Sequence, residues 1–310
     1  MKSAVSIQGL AKSYGTTRAV DGLDLEIEQG ELFGIIGPDG AGKTTTMQIL
    51  VTLIPPDKGE VLVGGHDVRT GIQAIRSLVG YMPQRFSLYP DLSVEQNIDF
   101  FAELFGVPKS EMAVRKQRLY RFSRLGPFAK RLAGKLSGGM KQKLALSCTL
   151  VHDPEILILD EPTTGVDPLS RLEFWEILHH LHRMGTTVIV TTPYIDEALS
   201  CDRVAVMHGG QSLACGTPDE LVSLFPHKLY AIREPGISLH DTLVMSIRGV
   251  LRVAAFGDSL HVAAEPDTSP SQLETELSAA LGRGINLEPI SPSLEDVFIH
   301  LIHTKRNDGA

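Results

Sequence analysis

Between Gly37 and Thr45 the chain reads Gly-Pro-Asp-Gly-Ala-Gly-Lys-Thr-Thr, directly after the apolar run Leu32-Phe33-Gly34-Ile35-Ile36. A buried strand, a glycine-rich loop, a lysine and a hydroxyl follow one another in the order that phosphate binding needs. Glycines let backbone N–H groups turn inward and approach phosphate oxygens closely. A helix opening near Gly42 aims the positive end of its dipole at the same anion. Lys43 adds a full charge for the outer phosphates, and the hydroxyl of Thr44 can ligate Mg²⁺. Gly37, Pro38, Asp39, Gly40, Ala41, Gly42, Lys43, Thr44 and Thr45 are therefore expected to cradle a nucleotide. The plainer alternative is an ordinary strand–turn–helix with a solvated lysine.

Two further constellations fit the same chemistry. The continuous apolar run Ile156-Leu157-Ile158-Leu159 ends in Asp160-Glu161. A strand that delivers an aspartate beside a phosphate loop puts a carboxylate where Mg²⁺ must sit, and the next acid can polarise a water. Leu136-Ser137-Gly138-Gly139-Met140-Lys141-Gln142 puts a serine and two glycines at a helix start, a second site of bare N–H groups and positive dipole. One chain cannot easily aim both anion sites at one γ-phosphate. Two chains facing head to tail can.

The elements that must hold these residues follow from periodicity. Val5-Ser6-Ile7 and Leu23–Ile27 alternate with period two, and Gly15, Gly22 and Gly30 punctuate them. Residues 93–135 read as mostly helical, and Ser137 opens another helix. The apolar run at 156–159, a helix near 169–184 and the strand Thr187–Val190 form a β-α-β unit. After about residue 226 the order becomes β-α-β-β-α-β, which resembles a small ferredoxin-like module, with Ser291 as N-cap of a final helix. The expected fold is α/β and resembles a P-loop NTPase cassette, with a parallel sheet, an antiparallel N-terminal β region and an inserted helical subdomain. A small α+β C-terminal module follows. The expected domains are residues 1–225 and 226–310.

Composition sets outer limits. The chain has 310 residues, 43% of them hydrophobic, enough for a sizeable core. It has no run of eighteen apolar residues and begins Met1-Lys2-Ser3-Ala4, so neither a membrane span nor a signal peptide is expected. Three widely spaced cysteines suggest unpaired thiols in a reducing compartment. A net charge of −8 argues against a nucleic-acid binder. Yet Arg115, Lys116, Arg118, Arg121, Arg124, Lys130, Arg131 and Lys135 fall in a stretch without an acid. Either this is a solvated helix face, or it is turned toward an anionic membrane surface or acidic partner.

Across about residues 4–225 these motifs resemble the nucleotide-binding subunit of an ATP-binding-cassette transporter. Gly37–Thr45 resembles the Walker A loop, Leu157–Asp160 the Walker B strand, and Leu136–Gln142 the signature motif. The resemblance implies that Tyr14 stacks on adenine, that Glu161 is the catalytic glutamate, and that Thr44, Gln84 and Asp160 serve Mg²⁺. It implies that Ser137, Gly138 and Gly139 meet the γ-phosphate bound by a second copy, or by a similar cassette in a heterodimer, and that Gly165-Val166-Asp167 crosses that interface. ATP and Mg²⁺ are the implied cofactors. The implied partner is an integral-membrane permease, with the chain held peripherally on the cytoplasmic face. Met82, Phe86, Leu88, Tyr89, Leu92 and Phe105 are either core or part of a groove for a permease helix. The tail Pro292-Ser293-Leu294-Glu295-Asp296-Val297-Phe298 resembles that of drug-exporter ATPases that work with ABC-2-type permeases.

One departure stands out. The family usually has a histidine after the strand at 187–190, as a γ-phosphate switch; this chain has Pro193, with Thr192 as an expected cap of a following helix. Proline offers no side-chain donor and no N–H, so slow but real turnover is expected. A slow or non-hydrolysing regulatory cassette is the alternative. A ribosome- or DNA-acting cassette would usually carry two cassettes or a coiled-coil insert, and a GTPase would need an Asn-Lys-x-Asp motif, which is absent.

Overall fold

The computed structural model describes residues 2–85, 88–233, 240–257 and 259–308. The chain divides into two compact units, Met1–Pro218 and Asp219–Ala310.

The first unit opens with the long strands β1 (Ser3–Tyr14) and β2 (Thr17–Glu28), followed by β3 (Leu32–Ile36) and helix α1 (Lys43–Leu50). Then come β4 (Lys58–Val63), β5 (His66–Asp67), α2 (Ile72–Leu78) and β6 (Val79–Met82). Helices α3 (Val94–Leu104), α4 (Lys109–Ser123) and α5 (Gly138–Thr149) form the helical insertion. The unit continues with β7 (Ile156–Asp160), α6 (Pro168–Arg183), β8 (Thr187–Thr192), α7 (Ile195–Ala198), β9 (Arg203–His208) and β10 (Gln211–Gly216).

Two sheets enclose its core. The order β2-β1-β4-β5 is antiparallel throughout. The order β10-β9-β3-β8-β7-β6 is parallel except at its edge, where β10 runs antiparallel to β9. Phe33 and Ile35 of β3, Ile158 of β7 and Ile189 of β8 meet Met47 and Ile49 of α1 and Val5, Leu23 and Val61 of the antiparallel sheet. Each such side chain, once fully buried, contributes about 1.5–3 kcal/mol. Strands β3, β7 and β8 are buried at every position, as strands covered on both faces must be.

Residues 93–135 are mostly helical, as expected, in separate pieces. Gly106 at φ +67° closes α3, Pro108 precedes α4, and Arg124 at φ +56° ends it. Short 3₁₀ turns at Gly126–Phe128 and Ala133–Lys135 follow. Ser93 and Gln96 form a capping box on α3. The buried Asn97 side chain then donates to the carbonyls of Tyr89, Leu92 and Ser93 and accepts from Tyr89 N–H, tying the loop before α3 to the helix. Half of the basic stretch is neutralised by acids outside it. Arg115 pairs with Glu111 and Asp153, Lys116 with Glu95 and Asp99, Arg118 with Asp153, and Arg124 with Glu173 and Glu176. The pairing of these four cations favours the solvated-face reading over a bare cationic surface.

After α8 (Pro218–Ser223), the second unit runs β11 (Lys228–Ile232), α9 (Asp241–Met245), β12 (Val250–Phe256), β13 (Ser259–Ala264), α10 (Pro270–Leu281), β14 (Glu288–Pro289) and α11 (Leu294–Asp308). Its sheet is antiparallel in the order β12-β13-β11-β14. Tyr230, Ile232, Leu260 and Val262 pack with Val244 of α9 and Leu273 and Leu277 of α10. The hairpin residue Asp258 lies outside the described residues. The last helix starts later than its proline suggests. Ser293, not Ser291, is the cap: its Oγ accepts from Asp296 N–H at 3.2 Å, and Asp296 Oδ2 accepts from Ser293 N–H at 2.8 Å. Asp296 also meets His261 Nδ1 at 2.8 Å. The tail motif thus has a structural task of its own, a reciprocal cap anchored to β13.

Candidate active site

The glycine-rich loop leaves β3, which lies between β8 and β9. Its glycines are set by close backbone approach. A Cβ on Gly37 would stand 2.2 Å from the carbonyl oxygen of Met207, and one on Gly42 would stand 2.3 Å from that of Ala19. Gly42 lies at φ +101° and Gly40 at φ +78°, conformations that side chains disfavour. Ala41 N–H donates to Pro38 O, and Ala41 O accepts from Gly210 N–H, which fastens the loop within the unit. Gly42 caps α1 without a side-chain partner, so the first N–H groups of α1 remain available to an anion. Lys43 is only 4% exposed. Its Nζ donates to Gly37 O at 2.7 Å and Pro38 O at 3.2 Å, and lies 3.4 Å from Glu161 Oε1.

Strand register brings the remaining groups together. Parallel pairing of β7 and β8 sets Asp160 opposite Thr191, and pairing of β6 and β7 sets Met82 opposite Leu159. Thr191 Oγ1 donates to Asp160 Oδ1 at 2.7 Å. The other oxygen, Oδ2, is buried without a hydrogen-bond partner among the described residues. Burial holds the Asp160 carboxyl above the usual carboxylate range. The hydroxyls of Thr191 and Thr44 and the charge of Lys43 pull it down, and Glu161 pushes it further up. An oxygen-lined site with an orphaned carboxylate oxygen beside a threonine hydroxyl fits a hard divalent cation. Mg²⁺ is therefore compatible with the donor set at Thr44 and Asp160.

Glu161 sits at φ +47°, in the left-handed region that non-glycine residues rarely enter and that costs about 1–3 kcal/mol. Its N–H is held by both the carbonyl (3.1 Å) and Oγ1 (2.9 Å) of Thr191. Its Oε2 accepts from Gln84 Nε2 at 2.9 Å and from Thr164 Oγ1 at 3.4 Å. Lys43, Gln84, Asp160 and Glu161 thus converge at the ends of β3, β6 and β7.

Tyr14 ends β1, is 50% exposed and has Lys12 Nζ 5.9 Å from its ring centroid. Ser137 caps α5, accepting from Met140 N–H at 3.3 Å. Gly139 is packed so closely that a Cβ would stand 2.3 Å from Ser170 Oγ, whereas one on Gly138 would find only Gly165 O at 3.9 Å. Among the described residues, no hydrogen bond or ion pair joins Tyr14 or Ser137–Gly139 to Lys43, Thr44, Gln84, Asp160 or Glu161. Phe86 lies outside the described residues. Met82 is buried, while Tyr89, Phe100 and Phe105 are exposed; Tyr89 and Phe100 meet edge-on at 4.6 Å.

Sequence reasoning missed Thr191, whose hydroxyl serves both acids. The available signal was a pair of hydroxyl residues closing an apolar run. Thr192 is not a helix cap: α7 begins at Ile195, and Thr192 Oγ1 accepts from Tyr194 N–H and donates to Glu197.

A strand–glycine loop–helix that fronts two strand-end acids defines a P-loop nucleotide hydrolase. Comparison with other proteins narrows the class. Residues 20–164 match the ABC transporter family model. The chain is 38% identical over 308 residues to the probable multidrug ABC transporter ATP-binding protein YbhF of Escherichia coli, covering 97% of this chain and 52% of that protein. It thus spans about half the length of that relative. It is 34% identical to the daunorubicin resistance ATP-binding protein DrrA3 of Streptomyces coeruleorubidus, covering 96% of each. It is 33% identical to a Nod factor export ATP-binding protein of Ralstonia nicotianae, covering 98% of this chain and 95% of that one. Among solved structures, cbiO1 of Clostridium perfringens superposes with a TM-score of 0.67 at 30% identity, over 72% of this chain and 92% of that one. A dimeric ATP-binding cassette bound to ADP and Pi gives 0.63 at 26% identity, over 69% and 98%. The chain belongs to the ABC transporter family and carries that family's ATPase cassette.

Proposed function

We propose that this protein is the ATP-hydrolysing subunit of an ABC-2-type exporter. It works as a homodimer, or with a similar cassette, beneath a separate membrane permease and peripherally on its cytoplasmic side. The convergence of Lys43, Gln84, Asp160 and Glu161 around the glycine loop carries the reading. The names of the relatives, multidrug and daunorubicin resistance and Nod factor export, favour export over a purely regulatory cassette. No helix among the described residues is long and apolar enough to cross a membrane; in this reading a separate permease supplies the translocation path. The exposed aromatic pair Tyr89 and Phe100, with the exposed Phe105 stacked on His152, suits a permease helix.

In this reading Tyr14 stacks on adenine, while residues 37–45 and the N-terminus of α1 bind the phosphates. Lys43 exchanges Glu161 for the outer phosphate. Ser137, Gly138 and Gly139 of a facing copy complete the grip on the γ-phosphate. Thr44, Asp160 and Gln84 would hold Mg²⁺, which when bound supplies charge neutralisation to the phosphates. Glu161, freed from Lys43, orients and polarises the attacking water. Catalysis is then mainly positioning and electrostatics.

The test is phosphate release by the purified protein with magnesium and ATP, beside Glu161→Gln. Turnover in the first, with loss of about a hundredfold or more in the second and ATP-dependent dimers on size exclusion, is the expected result. Absence of ATP-dependent phosphate release from folded, nucleotide-binding wild type would exclude the hydrolytic reading.

A further inference from the structure

The loop after β8 carries Pro193, which has neither a side-chain hydrogen-bonding group nor an N–H. Both of its neighbours are nevertheless pinned. Thr192 Oγ1 accepts from Tyr194 N–H at 3.0 Å and donates to Glu197 Oε2 at 2.5 Å. The Tyr194 ring lies 4.1 Å from the guanidinium carbon of Arg171. Glu197 Oε1 accepts from Thr163 Oγ1 at 2.8 Å and faces Arg171 Nε at 3.1 Å. Arg171 also pairs with Asp196. The Glu197 residue is only 4% exposed. One buried carboxylate therefore gathers donors from three segments: the turn after Glu161, the first turns of α6, and the end of β8.

Such a carboxylate is tolerated in the interior because charged hydrogen bonds satisfy it. Its location gives those bonds a consequence. Side chains alternate along a strand, so Thr191 faces Asp160 and Glu161 while Thr192 faces Glu197. Glu161 is held from its own N–H by Thr191. Two residues further on, Thr163 is held by Glu197. The strained turn bearing Glu161 is thus fixed on both sides, the second fixing point being Glu197.

We infer that Glu197 is a positioning residue for hydrolysis: it anchors the 161–163 turn to the end of β8 so that the Glu161 carboxylate meets the attacking water. Residue 193 cannot do this in the present chain. The inference rests on the ATPase reading above and adds to it. No hydrogen bond or ion pair links Glu197 to Lys43 or to the glycine loop among the described residues. Nucleotide affinity is therefore insulated from its loss, and turnover is not. In Glu197→Gln only one of the two oxygens remains as an acceptor and the charge is lost, which weakens the charge-assisted bonds to Thr163, Thr192 and Arg171 with little change in volume.

The experiment uses the full chain as wild type, Glu197→Gln, Thr163→Val and the double variant. It measures kcat and KM for ATP, equilibrium binding of a fluorescent ATP analogue, and thermal unfolding. Glu197→Gln is expected to lower kcat about tenfold, with KM and analogue affinity within about twofold of wild type. The double variant is expected to be no slower than Glu197→Gln alone, because both remove one contact. Wild-type kcat in Glu197→Gln, a parallel loss of kcat and affinity, or multiplying effects in the double variant would each overturn the inference. If Glu197→Gln does not fold, Thr163→Val decides alone: unchanged kcat in the folded variant overturns it. Wild type that binds the analogue but releases no phosphate fails at the ATPase reading instead, and removes this inference with it.

Discussion

The side-chain amide of Gln84 donates to Oε2 of Glu161 at 2.9 Å, while Lys43 Nζ stands 3.4 Å from Oε1 of the same carboxylate. Both oxygens are thus engaged by groups that the ATPase reading assigns to the phosphates and the metal. A carboxylate held in this way is a weaker acceptor for a water proton. In that reading, nucleotide binding has to redirect Lys43 and Gln84 before Glu161 can act, which would couple the occupied loop to the onset of hydrolysis.

Removal of the Gln84 amide separates the two roles. Gln84→Ala deletes a hydrogen bond to a charged group, a contribution of about 1.5–3 kcal/mol where the acceptor is buried. The nucleotide-free protein is expected to unfold at a lower temperature. With ATP, kcat is expected to fall about tenfold if the amide also serves the metal. Differential scanning fluorimetry with and without nucleotide checks the first, and steady-state phosphate release the second. An unchanged nucleotide-free midpoint would show that the 2.9 Å contact contributes nothing to stability.

Pro193 is solvent-exposed, and its neighbours are fixed independently of it. Histidine at this position meets no buried obstacle and adds a side-chain donor. A charge-assisted hydrogen bond made only in the transition state is worth about tenfold or more in rate. Pro193→His is therefore expected to raise kcat with little effect on KM. An equal or lower rate in a variant of unaltered thermal stability would count against a missing γ-phosphate contact limiting turnover.

The linear motifs were readable because their parts are local. Residues 37–45 combine tight backbone approach, a helix start and a lysine within nine positions, and the apolar runs at 32–36 and 156–159 can only be doubly covered strands. Contacts set by strand register were not readable. Thr191 reaches Asp160 because β7 and β8 pair in one of several registers, and the Gln84–Glu161 bond depends on β6 lying beside β7. Glu197 has no local signature at all, since an acid on a four-residue helix usually faces water. Turn chemistry set what periodicity left open: Gly106 and the left-handed Arg124 divide the helical region, and β10 folds back antiparallel after the Gly209-Gly210 turn. At the last helix, Ser293 outcompetes Ser291 because Asp296 lies three residues beyond it and can reciprocate the cap.

The two glycines of the 137–139 turn should separate in experiment. A Cβ at Gly139 meets Ser170 Oγ at 2.3 Å and Ser170 Cβ at 2.4 Å, and Ser170 is fixed by its N–H bond to Asp167. Gly139→Ala must push α5 away from α6, an overpacking cost of about 1–3 kcal/mol. Gly138→Ala meets only Gly165 O at 3.9 Å, an ordinary van der Waals contact, and should leave the unfolding midpoint within about 1 °C of wild type. In the ATPase reading it still impairs ATP-dependent dimerisation, because its methyl group intrudes where the facing phosphate approaches. Thermal unfolding and size exclusion with ATP on the two variants distinguish a packing role from a binding one.

Acid should weaken the second unit through His227 and His300. Their rings lie 5.2 Å apart, both contact Phe225, and each Nδ1 is buried without a partner among the described residues. Burial, followed by the charge of Arg252, holds both imidazoles below their usual range, and His227 adds to the effect on His300. In the unfolded chain both titrate near about 6.5. Between that value and their lower folded values the unfolded state binds more protons, so stability rises with pH across this window. The stabilisation is complete above about pH 7 and is lost as pH falls through the folded values. Chemical unfolding followed from pH 8 to pH 5 should show the transition of this unit weakening below about pH 6.5. Replacing both histidines by glutamine should flatten that dependence, and Arg252→Gln should reduce it by letting the imidazoles charge without a cation beside them. An equally steep acid limb in the double histidine variant would assign the sensitivity to other groups.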